Sequence, residues 1–254
     1  MHRKTKQAFT LVELSIVLVI LGLLVGGVLS GQSLIKAAEL RSVVTQRDQF
    51  VTAAHTFRDK YFGLPGDLAN ATDFWGEIAA GAACFGSGGT GTQTCNGNGD
   101  GRIVSSTNSQ ENFHYWRQLA NAGLIEGQYT GVATGNTATP QNSPTGKLTS
   151  ALWFTFYYGT LSGQPYAFDG TYNNVLLLGG RTSADVPANP IFKPEDAYNI
   201  DRKTDDGKPA LGKQVVRISA FADCTTATTS SQTNADYLLT STTPGCSIYF
   251  RDLF

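Results

Sequence analysis

The stretch FTLVELSIVLVILGLLVGGVLSGQSLI, residues 9–35, decides how this chain is built. It carries one charge, Glu13, and from Leu14 to Ile35 there are 22 residues without Lys, Arg, Asp or Glu. About 20 such residues cross a bilayer core as a helix. The segment before it, MHRKTKQA, holds Arg3, Lys4 and Lys6. Basic residues stay on the cytoplasmic side, so the expected orientation is N-terminus in and C-terminus out. A charged side chain within an apolar span costs roughly 2.5–3.5 kcal/mol on insertion scales, which marks Glu13 as a residue with a partner and a role.

A basic leader, then Ala8-Phe9-Thr10-Leu11-Val12-Glu13-Leu14, then a long apolar helix, resembles the class III signal of type IV pilins and type II secretion pseudopilins. The resemblance implies cleavage between Ala8 and Phe9 by a prepilin peptidase, which methylates the new amino group. It implies that Glu13 pairs with the amino terminus of a neighbouring subunit. The family places Gly before the cut and this chain has Ala8, also a small residue. The implied function is structural, not enzymatic: a subunit of a type IV pilus or a type II secretion pseudopilus. The implied partners are other pilin or pseudopilin subunits, the peptidase, an inner-membrane assembly platform and, before assembly, membrane lipid. The implied location is a single pass through the inner membrane with a periplasmic head, then a filament. An ordinary secretory signal or a plain anchor carrying a monomeric tethered binding module is the alternative; it leaves Glu13 and the FTLVEL string unexplained.

The helical pattern continues past the apolar run. Leu40, Val43, Val44, Phe50, Val51, Ala54, Phe57 and Tyr61 mostly recur at three- and four-residue spacing, with charged residues between them. The expected organisation is a leader (1–8), a helix (9–62, its first part 9–35 for lipid or a filament core) and a head (63–254). Gly63-Leu64-Pro65-Gly66 should end the helix. Gly22 and Gly26, and Gly27 and Gly31, form small-xxx-small pairs that let helices approach closely in an apolar medium.

In the head, a loop or short helix is expected over 67–76, a glycine-rich loop over 81–101, and a helix over 108–121 with Asn108 as N-cap and Gly123 as its stop. A surface loop should follow over 130–149. Strands are expected over 152–158, 175–178, 215–221 and 247–250, with a short helix from Pro194 broken at Asp205-Asp206-Gly207. The fold class is therefore α+β: a long helix, its second half amphipathic, packed on a small antiparallel sheet.

Removing Arg3, Lys4 and Lys6 from the 19 basic residues leaves 16 against 20 acidic ones, so nucleic-acid binding is not the default expectation. The four cysteines, Cys84, Cys95, Cys224 and Cys246, form no C-x-x-C pair. An even count in an exported head favours disulfides. Of three pairings, Cys84–Cys95 with Cys224–Cys246 closes the shortest loops, through segments rich in Gly, Thr and Ser.

Asn96-Gly97-Asn98-Gly99-Asp100-Gly101-Arg102-Ile103 has side-chain oxygens at alternate positions, Gly sixth and an apolar residue eighth. That matches the front of an EF-hand-like calcium loop, with Asn96, Asn98 and Asp100 as candidate ligands. Two Asn replace Asp and the twelfth residue is Thr107, so Glu111 or another distant acid must complete the shell; a plain Asn/Gly turn is the alternative. Asp201, Asp205 and Asp206 form a second acidic cluster, of a kind that helix caps and turns commonly use; the resemblance to pseudopilins, some of which bind calcium near the carboxy-terminus, keeps it open as a calcium site. No nucleophile elbow, P-loop or dinucleotide fingerprint is present. His55 and His114 read as structural.

Overall fold

A computed structural model describes residues 10–78, 90–106, 109–133, 137–148, 150–183, 186–218 and 221–251. The leader, the cleavage pair Ala8 and Phe9, Cys84 and the expected N-cap Asn108 lie outside the described residues. The elements are α1 (Leu11–Tyr61), α2 (Ala71–Trp75), β1 (Ser105–Ser106), β2 (Ser109–Gln110), α3 (Glu111–Asn121), β3 (Ala151–Tyr157), β4 (Thr160–Leu161), β5 (Gly170–Thr171), β6 (Asn174–Gly180), α4 (Pro194–Thr204), β7 (Gln214–Ile218), α5 (Phe221–Cys224) and β8 (Cys246–Phe250). The chain divides into two compact units, Met1–Arg41 and Ser42–Phe254.

In the first unit, the apolar run is helical from Leu11 onward, and its large side chains from Leu11 to Ile35 are exposed. This helix is long and apolar enough to cross a membrane by length and composition.

The second unit is built on an antiparallel sheet of order β3-β6-β8-β7. Register puts Trp153, Leu178, Ile248 and Val216 in one row across one face, and Phe154, Leu177, Tyr249 and Val215 in a row on the other. All eight side chains are buried, so both faces are covered. That is why the strands read as continuous apolar runs and not as an alternation. On the first face, the Phe50 ring of α1 lies edge-on to Trp153 (5.4 Å) and to Trp116 of α3 (5.1 Å). On the second, Phe113 of α3 meets Phe154 edge-on at 5.6 Å. Burying one such aromatic side chain is worth roughly 2–3 kcal/mol.

β3 is an edge strand, and two of its outer N–H groups bond to chain segments lying beyond it. Trp153 N–H donates to the Pro144 carbonyl (2.9 Å) and Tyr157 N–H to the Ile103 carbonyl (2.8 Å). Such cover keeps a long apolar edge from pairing with another chain.

Several boundaries differ from expectation for local reasons. α1 ends one residue early: Phe62, not Gly63, takes the left-handed conformation (φ 59°), and its N–H still bonds the Arg58 carbonyl. α3 begins at Glu111 because Ser109 and Gln110 pair with Ser106 and Ser105. Its C-terminus is as expected. Gly123 sits at φ 71°, its N–H bonds the Ala120 carbonyl, and Leu124 N–H reaches back to Leu119, a Schellman cap. β7 stops at Ile218, and Phe221 belongs to α5, whose turn returns Cys224 to Cys246, the partner of Ile218 in register. The segment expected as a surface loop is partly buried. Asn142 stands in for backbone, accepting Thr139 N–H (2.7 Å) and donating to the Val132 and Thr137 carbonyls (3.2 and 3.1 Å).

Candidate functional site

The first candidate site is the start of α1. Thr10 precedes the helix and Glu13 is its third residue. Glu13 Oε2 accepts from the Thr10 N–H and from Thr10 Oγ1, both at 2.8 Å, while Glu13 N–H donates to Thr10 Oγ1 at 3.2 Å. This is a reciprocal capping box. The pattern T-x-x-E was present in the sequence and is the signal that the reading of Glu13 as a pure pairing charge overlooked. One carboxylate oxygen is enough for the cap, so Oε1 is left for a second partner. Farther along, a Cβ built at Gly22, Gly26, Gly27 or Gly31 meets nothing within 4 Å. All four glycines therefore present bare backbone.

The second candidate site is the 96–104 loop. Its three predicted ligands are each hydrogen-bonded locally. Asn96 Oδ1 accepts Thr72 N–H in the first turn of α2 (2.8 Å). Asn98 Oδ1 accepts Asp100 N–H (3.0 Å), and Asp100 Oδ1 accepts Arg102 N–H (2.9 Å). Two carboxylates that the pattern does not contain join them. Asp67 Oδ1 accepts the N–H groups of Gly99 (2.7 Å) and Asp100 (3.2 Å), and Oδ2 that of Gly101 (2.8 Å). Glu111 Oε1 accepts Asn98 N–H (3.2 Å), and Oε2 accepts Val104 N–H (3.0 Å). Glu111, the distant acid that the sequence offered to this loop, holds it through both carboxylate oxygens.

The loop thus wraps two buried carboxyl groups. Burial pushes both above the usual carboxylate range; the loop N–H groups oppose this, and repulsion from Asp100 adds to it. Glycine is required where the chains touch. A Cβ at Gly97 would collide with the Asp67 backbone, and one at Gly66 with the Glu111 carbonyl.

α3 carries polar groups that fasten its surroundings. Gln118 Oε1 accepts Gly66 N–H (2.7 Å), and Nε2 donates to the Cys95 carbonyl (3.2 Å). Arg117 donates to the carbonyls of Tyr129, Thr130 and Gly91. His114 Nδ1 faces Thr94 Oγ1 at 3.2 Å, and burial, with the Arg117 charge, pushes its pKa down to about 3. It is a neutral structural residue at physiological pH. His55 lies against Arg58 on α1.

Cys224 and Cys246 form a disulfide, with Cα atoms 5.3 Å apart and both residues buried. Cys95 is also disulfide-bonded; its expected partner, Cys84, lies outside the described residues. The carboxylates of Asp201, Asp205 and Asp206 come within 4.8 Å of one another at the end of α4. Each has a local partner: the Tyr237 hydroxyl for Asp201, the Lys213 and Gln214 N–H groups for Asp205, and the Lys208 N–H for Asp206.

Residues 3–29 match the family model described as the prokaryotic N-terminal methylation motif. This is the prepilin signal of type IV pilins and pseudopilins, and the match covers the basic leader, Glu13 and most of the apolar run. A search of curated proteins finds no match. A search of solved structures finds none either.

Proposed function

We propose that this chain is a structural subunit of a type IV pilus or type II secretion pseudopilus. It is made as an inner-membrane precursor, cleaved between Ala8 and Phe9, and polymerised through α1. The observation that carries this reading is the coincidence of two features on one segment. The methylation motif occupies residues 3–29, and the helix it begins exposes nearly every large apolar side chain from Leu11 to Ile35. In water such a surface is costly at roughly 25 cal/mol per Å². Lipid covers it before assembly, and neighbouring helices cover it afterwards. The bare flanks at Gly22, Gly26, Gly27 and Gly31 suit close helix contact.

Intact-mass spectrometry of the chain from its host, together with sheared-filament preparations, tests this. A mature chain starting at N-methylated Phe9 and present in the filament fraction is expected. An N-terminus near Gly31, or a processed chain found only as monomer in membranes, would favour the tethered binding module.

The 96–104 loop supports a second reading, calcium binding. It is favoured by two buried carboxylates, Asp67 and Glu111, that bond N–H groups of the same loop that carries Asn98 and Asp100. These are hard oxygen donors of the kind calcium takes; Asp67 Oδ2 and both Glu111 oxygens accept one N–H each and keep a further lone pair, whereas Asp67 Oδ1 accepts two. Asn96 is drawn away to α2, so Asp67 takes its place in this reading. Calorimetric titration of the full chain with calcium tests it: saturable binding lost in Asp100→Ala supports the site, and no heat at millimolar calcium leaves a hydrogen-bonded turn.

A further inference from the structure

The chain holds two Asn-Gly dyads, Asn96-Gly97 and Asn98-Gly99, both in the 96–104 loop. Glycine is needed at 99 because the backbone there is left-handed (φ 74°). It also leaves the peptide nitrogen after Asn98 without a side chain to shield it. Such a nitrogen can attack the Cγ carbon of the preceding Asn. The N–Cγ bond closes a five-membered succinimide, the Gly N–H proton goes to solvent, and the carboxamide leaves as ammonia. Water then opens the ring at either carbonyl, giving Asp or isoaspartate. The step consumes one water, releases one ammonia and needs no other reactant. Asn96 and Asn98 are both exposed, so water reaches both carboxamides.

Both attacking nitrogens are tied to residues 67–68. Gly97 N–H donates to the Leu68 carbonyl (2.9 Å), and its backbone lies against that of Asp67 so closely that a Cβ there would collide. Gly99 N–H is shared between the Asp67 carbonyl (2.9 Å) and Asp67 Oδ1 (2.7 Å). The two carboxamides differ. Asn96 Oδ1 accepts Thr72 N–H, which turns it toward α2. Asn98 Oδ1 accepts Asp100 N–H (3.0 Å), a bond that reaches across Gly99. That donor sits on the oxygen where negative charge develops when Cγ is attacked, as in an oxyanion hole. Asn98 therefore has a polarised carbonyl and access to water. What opposes reaction is the double hold of Asp67 on the Gly99 nitrogen.

We propose that Asn98 is a self-modification site guarded by Asp67: it stays Asn while Asp67 holds the Gly99 nitrogen, and deamidates to Asp or isoaspartate when that hold opens. The nitrogen cannot move onto Cγ without leaving both Asp67 acceptors, so the rate follows the population of the open loop. The product does not return to the starting arrangement. It adds a carboxylate to a loop that already carries Asp100 and wraps Asp67 and Glu111, the last bonded to the Asn98 N–H itself. Isoaspartate also lengthens the main chain by one carbon, which shifts Gly99 and Gly101 away from their Asp67 oxygens. Modification at Asn98 is thus a one-way record of loop opening.

Peptide mass spectrometry of the full chain, held in detergent and chelator at mildly alkaline pH, tests the guard. Conversion at Asn98 should be at least roughly tenfold slower in the native chain than in the same chain unfolded in denaturant. Asp67→Ala removes the Oδ1 acceptor, leaves the Leu68 carbonyl for Gly97, and should speed conversion at Asn98 severalfold more than at Asn96. A native rate equal to the unfolded one overturns the proposal. So does an unchanged or slower rate in Asp67→Ala, which would make the carboxylate a base and not a guard. An equal rise at both asparagines assigns the protection to the loop as a whole and overturns the role of Asp67. Hydrogen exchange of the native chain is an arm that needs no foldable variant. The Gly99 amide should exchange at least roughly tenfold more slowly than its intrinsic rate. Exchange at the intrinsic rate also overturns the guard.

Discussion

Thr10 and Glu13 cap each other: the Glu13 carboxylate accepts the Thr10 N–H and hydroxyl at 2.8 Å, and Thr10 Oγ1 accepts the Glu13 N–H at 3.2 Å. The one acidic residue of the apolar segment therefore has a role inside its own helix, besides any role between subunits. The two can be separated. Gln serves in a capping box as Glu does, but it carries no charge.

Glu13→Gln should leave amide exchange at residues 10–13 near the native value and sharply reduce incorporation into filaments. Thr10→Val should do the opposite: exchange rises about fivefold, matching a cap worth about 1 kcal/mol, while incorporation persists. Sheared-filament yield against membrane-fraction yield measures the second quantity. If Glu13→Gln assembles as well as the native sequence, capping is the main duty of Glu13 and charge pairing does not drive assembly.

Replacing Cys224 and Cys246 together by Ser should lower the stability of the folded head by about 3 kcal/mol in the chain-entropy account of a loop of this size. Chemical denaturation of the full chain in detergent checks the magnitude. Non-reducing peptide mapping should recover Cys224 joined to Cys246 and Cys95 joined to Cys84. A crossed pair would show that the connectivity at Cys95 was misassigned.

His114 makes the head acid-sensitive. Its pKa is pushed from 6.5 down to about 3, so the unfolded chain binds the proton more tightly. A lowered folded pKa means that stability is full above about pH 6.5 and falls as pH drops toward 3, by up to about 1.4 kcal/mol per pH unit. Asp201 acts in the opposite direction over much of this window. The native chain should therefore show a shallow profile, and His114→Gln should expose stability that rises as pH falls from about 7 to 4. Denaturation midpoints across that range decide it; identical profiles for native and variant chains would show that His114 titrates normally.

Asp67 matters more to the head than Asp100, although only Asp100 belongs to the loop pattern. Asp67 is buried and satisfies three N–H groups, whereas the exposed Asp100 carboxylate accepts one, from Arg102. Asp67→Ala should cost about 3 kcal/mol and Asp100→Ala about 1 kcal/mol or less in the absence of calcium, by the usual worth of such bonds. Thermal melts in chelator compare them. Equal costs would mean that the loop is held mainly by Glu111.

The sequence by itself determined the apolar helix, the prepilin signal, the four strands of the main sheet and the Cys224–Cys246 pairing. The prepilin signal rests on a family resemblance; the others rest on composition and spacing: uncharged length, apolar runs, cysteines closing short loops. The same local logic contained the Thr10–Glu13 cap, which was legible and missed. The tertiary structure decided what depends on distant segments meeting. Asp67 enters a loop some 30 residues away, and Tyr237 reaches Asp201 from a segment 36 residues on. A carboxylate's partner is whichever donor the packed chain brings within 3 Å, and burial alone makes that bond matter. Neither quantity is written in the residues around it.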